Sequence, residues 1–352
     1  MSTKKTKTVL IVTKSDDNEC IEAVSRAIEE RGGRAFRFDT DAYPSTVRLS
    51  LEVAQGGDRH VLEAGGERLD LRTVDAVWYR RMNLGARLPA EMDKQMRHAC
   101  VLETKATVNG MLASLGVFQM NRPIRVRWAE NKEMQLELAR DLGLDVPRTL
   151  ITNDPAAVRA FADACGAGGI VAKMLSSFAI REGEEEKVVF TNRVGPDDLA
   201  HLEGLDLSPM TFQEAVPKRL ELRVTVIGKR IFAAAIDSQT VARAKVDWRR
   251  EGASMLDEWK RYELPREVEA RLGELVDRLG LDYGAIDVIL TPDGRHVFLE
   301  VNPAGEFYWL ERCPGFPLTD AIAEALMEKG ARRRDGAPDP LVVAGALTPP
   351  RS

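Results

Sequence analysis

Tyr283-Gly-Ala-Ile-Asp287-Val-Ile-Leu-Thr-Pro-Asp293-Gly294-Arg-His-Val-Phe-Leu-Glu300-Val-Asn302-Pro303 holds two apolar runs on either side of Asp293-Gly294. That dipeptide accepts the backbone angles of a two-residue hairpin turn. Such a turn pairs Pro292 with Arg295, and by the same count sets Asp287 opposite Glu300. Residues facing each other across antiparallel strands have Cβ atoms about 4.5–5.5 Å apart. Asn302 lies two residues beyond Glu300 and so points to the same face. A loop of three or five residues would shift this register by one. Opposed like charges are unfavourable unless a cation or a proton lies between them. Two carboxylates and an amide oxygen, without sulfur or imidazole, suit Mg²⁺, whose shell is usually completed by substrate phosphates. The alternative is a pair of acids facing solvent at a hairpin edge.

Upstream of the hairpin, the segment Thr211-Phe-Gln213-Glu214-Ala-Val216-Pro217 ends a predicted strand at a proline. A strand end of this kind can offer backbone groups to a planar base. Glu221 and Arg223 share one face of the next strand, where an arginine can clamp phosphate through two parallel bonds. Lys173 lies among apolar neighbours in Gly168-Gly-Ile-Val-Ala-Lys173, so it either meets an anion or reaches a sheet edge. Lys132 stands early in an amphipathic helix predicted over 127–142 and ended by Gly143, a place where most lysines are simply solvated. The charged run 181–187 reads as a loop.

The N-terminal third has a βαβ rhythm. Residues 8–13 form a strand, 18–31 a helix with Ile21, Val24, Ala27 and Ile28 on one face, and 35–38 a second strand. Asp16 or Asp17 is the expected N-cap. A hairpin over 47–63, a strand ending in Trp78-Tyr79-Arg80-Arg81 and a helix over 89–115 follow. Further strands are expected at 210–216, 221–227 and 230–237, and helices at 265–279 and 318–329.

The chain has 352 residues and a net charge of −5, enough for two or three domains. The balance argues against a general nucleic-acid binder. No apolar run approaches membrane-span length, and the basic N-terminus precedes too short an apolar run for a signal peptide. The four scattered cysteines fit reduced thiols in a cytoplasm, and four scattered histidines argue against zinc. The mean charge conceals an excess of six positive charges over 217–250. It is densest at Arg243, Lys245, Asp247, Arg249 and Arg250, which form either a solvated loop or a surface for an acidic substrate. No phosphate-binding P-loop, dinucleotide-binding glycine motif or serine-nucleophile motif is present.

In order and spacing, these pieces resemble the ATP-grasp superfamily over residues 121–330. Val77-Trp-Tyr-Arg-Arg81, Asn121-Arg-Pro123, Leu175-Ser-Ser-Phe178 and Asp247-Trp-Arg249 narrow the likeness to the graspetide, or microviridin-type, macrocyclases. The resemblance implies an α/β (α+β) fold: a pre-ATP-grasp domain at 1–120, a central subdomain at 121–208, a C-terminal antiparallel-sheet subdomain at 209–330 and a flexible tail at 331–352. It assigns Lys132 and Lys173 to the nucleotide, and Gln213, Glu214 and Val216 to the adenine hinge. It assigns Glu221 to the ribose, Arg223 to the phosphates, and Asp287, Glu300 and Asn302 to two magnesium ions. Ser176 and Ser177 stand where relatives carry a glycine-rich phosphate loop, so that assignment is the least regular.

What the resemblance implies functionally is an ADP-forming ligase. It would activate Asp or Glu side chains of a ribosomal precursor peptide, with a leader and an acidic core, and close ω-ester or ω-amide crosslinks. The expected catalytic set is Lys173, Arg223, Arg243, Asp247 and Arg249, with Asp247 or Glu306 as general base. Arg80, Arg81, Lys245 and Arg250 are the expected substrate contacts. ATP and Mg²⁺ are the implied cofactors, a homodimer the implied assembly, and the cytoplasm the implied location; no nucleic acid or membrane partner is expected. The rivals are an ATP-grasp ligase joining a small acid to an amino acid, and a nucleotide-gated peptide-binding protein.

Overall fold

The computed structural model describes residues 6–173, 179–182, 185–188, 191–240 and 255–328. The apolar run near the N-terminus is β1 (Thr8–Thr13), buried along its whole length. Val9 and Ile11 point into one core while Leu10 and Val12 point into another, as strand alternation requires. α1 (Cys20–Glu30) buries Cys20, Ile21, Val24, Ala27 and Ile28, the face read from its period. Its cap differs from expectation. Asn18 Oδ1 accepts from the Cys20 N–H, and Asp17 is committed to Thr13 and Arg81. β2 (Arg34–Asp39) follows. A meander of β3 (Arg48–Glu52), β4 (Arg59–Ala64) and β5 (Glu67–Asp70) leads to β6 (Val74–Tyr79), α2 (Lys94–Ser114) and β7 (Phe118–Met120). The parallel sheet has the order β2-β1-β6-β7.

The helix expected over 127–142 is two helices, α3 (Pro123–Ala129) and α4 (Lys132–Asp141). The break arises because the Asn131 side chain leaves the helix to cap α4, accepting from the Met134 N–H at 3.1 Å. Beyond it come β8 (Thr149–Thr152), α5 (Pro155–Cys165), β9 (Ile170–Lys173), β10 (Ala179–Glu182), β11 (Glu185–Val188), β12 (Asn192–Val194), α6 (Pro196–Ala200) and β13 (Met210–Glu214). Within the charged run read as a loop, the backbones of β10 and β11 pair antiparallel. The small sheet has the order β12-β9-β13-β8 and its own core of Val158, Ile170, Leu205 and Phe212.

The large sheet comprises β14 (Leu220–Ile227), β15 (Arg230–Ile236), β16 (Lys260–Arg261), β17 (Tyr283–Leu290) and β18 (His296–Asn302), in the order β16-β15-β14-β17-β18. α7 (Arg266–Arg278) covers one face, with Leu272, Leu275 and Val276 packed beside Ala129 of α3 and Ala139 of α4. α8 (Trp309–Arg312) and α9 (Leu318–Met327) complete the chain. On the other face, Phe232 and Ile236 share a core with Ile322 and Leu326 of α9 and with Val24 and Ile28 of α1. Burying each such apolar side chain contributes about 1.5–3 kcal/mol, so the N-terminal and C-terminal units are joined by one apolar core. α3 and α4 belong with the large sheet because their apolar faces lie on it, and β13 belongs to the small sheet. Among the described residues no helix is long and apolar enough to cross a membrane.

Candidate active site

The acid hairpin reaches the expected pairing by two compensating departures. Its turn has three residues, Pro292 to Gly294, bracketed by the Thr291 N–H to Arg295 carbonyl bond of 2.9 Å, with Gly294 at φ 89°. Leu290 consequently pairs with His296 and Val288 with Phe298, one residue away from the two-residue count. Leu299 is then an extra residue on β18, a bulge that restores the register. Asp287 pairs with Glu300, and Ala285 with Asn302.

Strand order adds a neighbour that the hairpin alone could not show. Arg223 on β14 pairs with Asp287 from the other side. A row of charges thus crosses three strands, Arg223, Asp287 and Glu300, and ends at Lys132 of α4 beyond the sheet edge. Arg223 Nη1 lies 2.7 Å from Asp287 Oδ1, and Lys132 Nζ lies 2.9 Å from Glu300 Oε2. The Asn302 amide nitrogen is 3.2 Å from Asp287 Oδ2 and 3.1 Å from Glu300 Oε1. Both carboxylates therefore converge on one point. Burial alone would raise the Glu300 pKa. The Lys132 and Lys173 ammonium groups, with hydrogen bonds from Lys132 and Asn302, outweigh burial and hold the carboxyl well below its ordinary range.

This hard-oxygen set fits magnesium. Among the described residues no group of three or more His, Cys, Asp or Glu could hold a metal by itself. Phosphate oxygens would have to complete the shell of an ion placed here. Arg223 also donates from Nη2 to the Glu306 carbonyl at 2.9 Å and lies over the Trp309 ring at 5.3 Å. Its Nε is buried and has no hydrogen-bond partner among the described residues.

The row lies in a cleft of about 1800 Å³ between the small and large sheets, larger than the roughly 300–1,000 Å³ of a small-molecule pocket. Lys173 of β9, Gln213 and Glu214 of β13, Val216 and Glu221 line it together with the acids. The hinge backbone is tied down by the Glu214 N–H to Arg148 carbonyl and Ala215 N–H to Gly169 carbonyl bonds, both 3.0 Å. Gln213 donates to Thr149 Oγ1 at 3.0 Å, and Glu221 pairs with Lys218 at 3.2 Å. Arg81, Asn18, Tyr308 and Trp309 also line the cleft. Sequence reasoning missed this aromatic wall. The available signal was the run Phe307-Tyr308-Trp309 so soon after the acid hairpin. Ser176, Ser177, Arg243, Lys245, Asp247, Arg249 and Arg250, like the 331–352 tail, lie outside the described residues.

Two expected roles meet physical objections. Arg80, taken as a substrate contact, is 3% exposed and committed to the Ala304 carbonyl and to Glu306 Oε2. It lies over the Phe307 ring instead of facing the cleft. Glu306, taken as a possible base, accepts from Arg80, Arg81 and the N–H groups of Phe307 and Tyr308. Burial would raise its pKa, but Arg80 and these bonds bring it below the ordinary value, which weakens it as a proton acceptor.

Gly305 sits between these groups. A Cβ there would lie 2.6 Å from Ala285 Cβ, 3.0 Å from Asn302 Cβ and 3.1 Å from Arg223 Nη2. Gly305→Ala should therefore destabilise the protein by about 1–3 kcal/mol, as overpacking does, and lower turnover by displacing Asn302 and Arg223. A urea midpoint and rate equal to those of the unsubstituted protein would contradict this.

A small and a large antiparallel sheet flanking a cleft lined by an oxygen-rich strand pair fit an ATP-grasp enzyme, and comparison with known proteins narrows the class. Residues 8–127 match the family described as the MvdD pre-ATP grasp domain. The chain is 48% identical to the macrocyclase MdnC of Microcystis aeruginosa, solved bound with the precursor peptide MdnA, with 91% of this chain and 99% of that chain covered and a TM-score of 0.84. It is 37% identical to a RiPP-associated ATP-grasp ligase of Chryseobacterium gregarium, solved with ADP and a leader and core peptide, with coverages of 94% and 99% and a TM-score of 0.88. The macrocyclase MdnB of Microcystis aeruginosa is 36% identical, with coverages of 91% and 99% and a TM-score of 0.77. The chain belongs to the graspetide-type ATP-grasp maturases of ribosomally made peptides, and is an ADP-forming ligase.

Proposed function

We propose that this ligase phosphorylates Asp or Glu side-chain carboxylates of a ribosomal precursor peptide and closes them onto Thr or Ser hydroxyls, or a Lys amine, of the same peptide. The observation that carries this reading is the cleft. It gathers the Lys132–Glu300 and Arg223–Asp287 ion pairs, the hinge residues Glu214 and Val216, Arg81 and the rings of Tyr308 and Trp309 into one cavity. The relatives solved with precursor or core peptides support a peptide as the partner, with a leader and an acidic core.

In the first step a carboxylate oxygen attacks the γ-phosphorus of ATP, and ADP leaves with the electrons of the broken P–O bond. In the second, the hydroxyl or amine attacks the acyl carbon, phosphate leaves, and the nucleophile gives up its proton. The products are an ω-ester or ω-amide ring, ADP and phosphate. Bound magnesium would neutralise charge on the transferring phosphate. Asp287, Glu300 and Asn302 would hold it, as a pair of ions in the full reading. Lys132, Lys173 and Arg223 offset phosphate charge, Gln213, Glu214 and Val216 take the adenine, and Glu221 takes the ribose. The heavily bonded Glu306 leaves Asp247 as the base candidate. A homodimer in the cytoplasm completes the reading by family likeness, and light scattering tests the assembly.

Incubation with ATP, Mg²⁺ and the acidic precursor should remove the mass of one water for each ring and release one ADP. EDTA should abolish both. ADP release without any change in peptide mass would sink ring closure and favour ligation of a small acid to an amine.

A further inference from the structure

The metal-facing strand β18 lies at the edge of the large sheet, so one side of its backbone has no strand to bond. At Val301, between Glu300 and Asn302, that side meets Gln135 of α4. The Val301 N–H donates to Gln135 Oε1 at 2.7 Å, and Gln135 Nε2 donates to the Val301 carbonyl at 2.9 Å. One carboxamide thus reproduces the two-point bond of a neighbouring strand, and Gln135 is fully buried. Its Nε2 also donates to the Ala129 carbonyl, where α3 ends.

A second carboxamide acts just past Asn302. Asn121, 1% exposed, donates from Nδ2 to the Pro303 carbonyl at 2.9 Å and to the Tyr283 carbonyl at 2.8 Å. Its Oδ1 accepts from the N–H groups of Asp282 at 2.7 Å and Tyr283 at 3.0 Å. Each side chain satisfies both its donor and its acceptor, in places where an unmet buried polar group would be costly. The backbone is therefore pinned on both sides of Asn302 and directly after Glu300. Lys132, one turn before Gln135, donates from Nζ to the Val301 carbonyl and to Asn302 Oδ1, both at 3.3 Å, beside its pair with Glu300.

We propose that Gln135 and Asn121 are positioning residues for the cation site, setting the backbone of β18 so that Asp287, Glu300 and Asn302 converge; this rests on the magnesium reading given above. Neither lines the cleft. Both act through main-chain bonds, and loss of such supports typically lowers metal affinity about 10- to 100-fold.

The test is Mn²⁺ binding to the full-length protein with ADP, read by electron spin resonance. Gln135→Met keeps the size and removes both strand-like bonds. Asn121→Asp keeps the accepted bonds and removes the donated ones. Both should weaken Mn²⁺ about 10- to 100-fold, and the half-saturating Mg²⁺ for ATP turnover should rise with little change in the KM for peptide. Glu300→Gln is the control. If it binds Mn²⁺ as the unsubstituted protein does, the magnesium reading itself fails. If it does not, while either amide variant that folds keeps normal Mn²⁺ affinity, the positioning role is overturned and only a stability role remains. Residue-resolved hydrogen exchange on the unsubstituted protein needs no variant. The Val301 amide should be among the slowest on β18, and exchange as fast as in an exposed loop would overturn the clamp.

Discussion

Glu300→Gln should lower ATP-dependent peptide turnover by roughly 10³, since Lewis-acid stabilisation at a phosphoryl centre is worth several kcal/mol and each 1.36 kcal/mol is tenfold. The substitution keeps size and polarity but removes one of the two carboxylates that meet at the Asn302 amide. It also leaves Lys132, whose Nζ lies 2.9 Å from Glu300, facing a neutral amide. Single-turnover kinetics should place the loss in the phosphoryl step, with peptide binding intact. Stability gives an independent reading. The folded-state pKa of Glu300 lies below that of the unfolded chain. The ionised group therefore stabilises the protein at neutral pH, and this contribution fades as acid titrates through the carboxylate range. The variant should lose that part of the acid limb of its stability profile. Unimpaired turnover in the variant would remove the metal assignment.

The hairpin shows how much of such a site can be read in a sequence. Asp287 and Glu300 do face each other, yet the two-residue turn behind that expectation is a three-residue turn whose slip the Leu299 bulge reverses. A one-residue slip without the bulge would have turned Glu300 to the other face. Arg223 was legible as an arginine on the face shared with Glu221. That it stands beside Asp287 depends on β14 pairing with β17, about sixty residues away in the chain, and no local pattern encodes that contact. The βαβ beginning, the face of α1 and the core strands were legible because burial repeats with a fixed period. The split of α3 from α4 turned on one capping side chain, Asn131. The buried amides were missed for a related reason. Gln135 lies four residues before Ala139 on the buried face of α4, and a polar residue on an apolar face was the available sign. Such a sign says that a partner exists, and only the tertiary fold says that the partner is Val301.

Arg80→Ala is the second large effect, and it separates two roles for the same residue. An arginine that reads an acidic peptide from the cleft could be removed with a rise in peptide KM and little change in stability. Arg80 instead spans the junction between the N-terminal sheet and the segment that follows Asn302. Its own N–H donates to the Val12 carbonyl, and its guanidinium holds the Ala304 carbonyl and Glu306. Beside it, burial pushes the Cys20 thiol up to about 12, so the neighbouring sulfur carries no charge that could compensate Arg80. Breaking a buried pair by removing one partner typically costs about 3–5 kcal/mol. Arg80→Ala should therefore lower the unfolding free energy by about that amount, read as a lower urea midpoint, and reduce kcat, because residues 303–306 also carry the carbonyl that Arg223 engages. Arg81 is the contrast. It lines the cleft with a third of its side chain exposed, and it pairs with Asp17 and Glu306 at 3.2 and 3.1 Å. Arg81 itself is more than a third exposed, although the Asp17 side chain it meets is buried, and solvent weakens such pairs, so Arg81→Ala should lower the midpoint less than Arg80→Ala while raising the KM for an acidic peptide. If the two variants exchanged these phenotypes, Arg80 would be the reader of the peptide and the tie between the sheets would lie elsewhere.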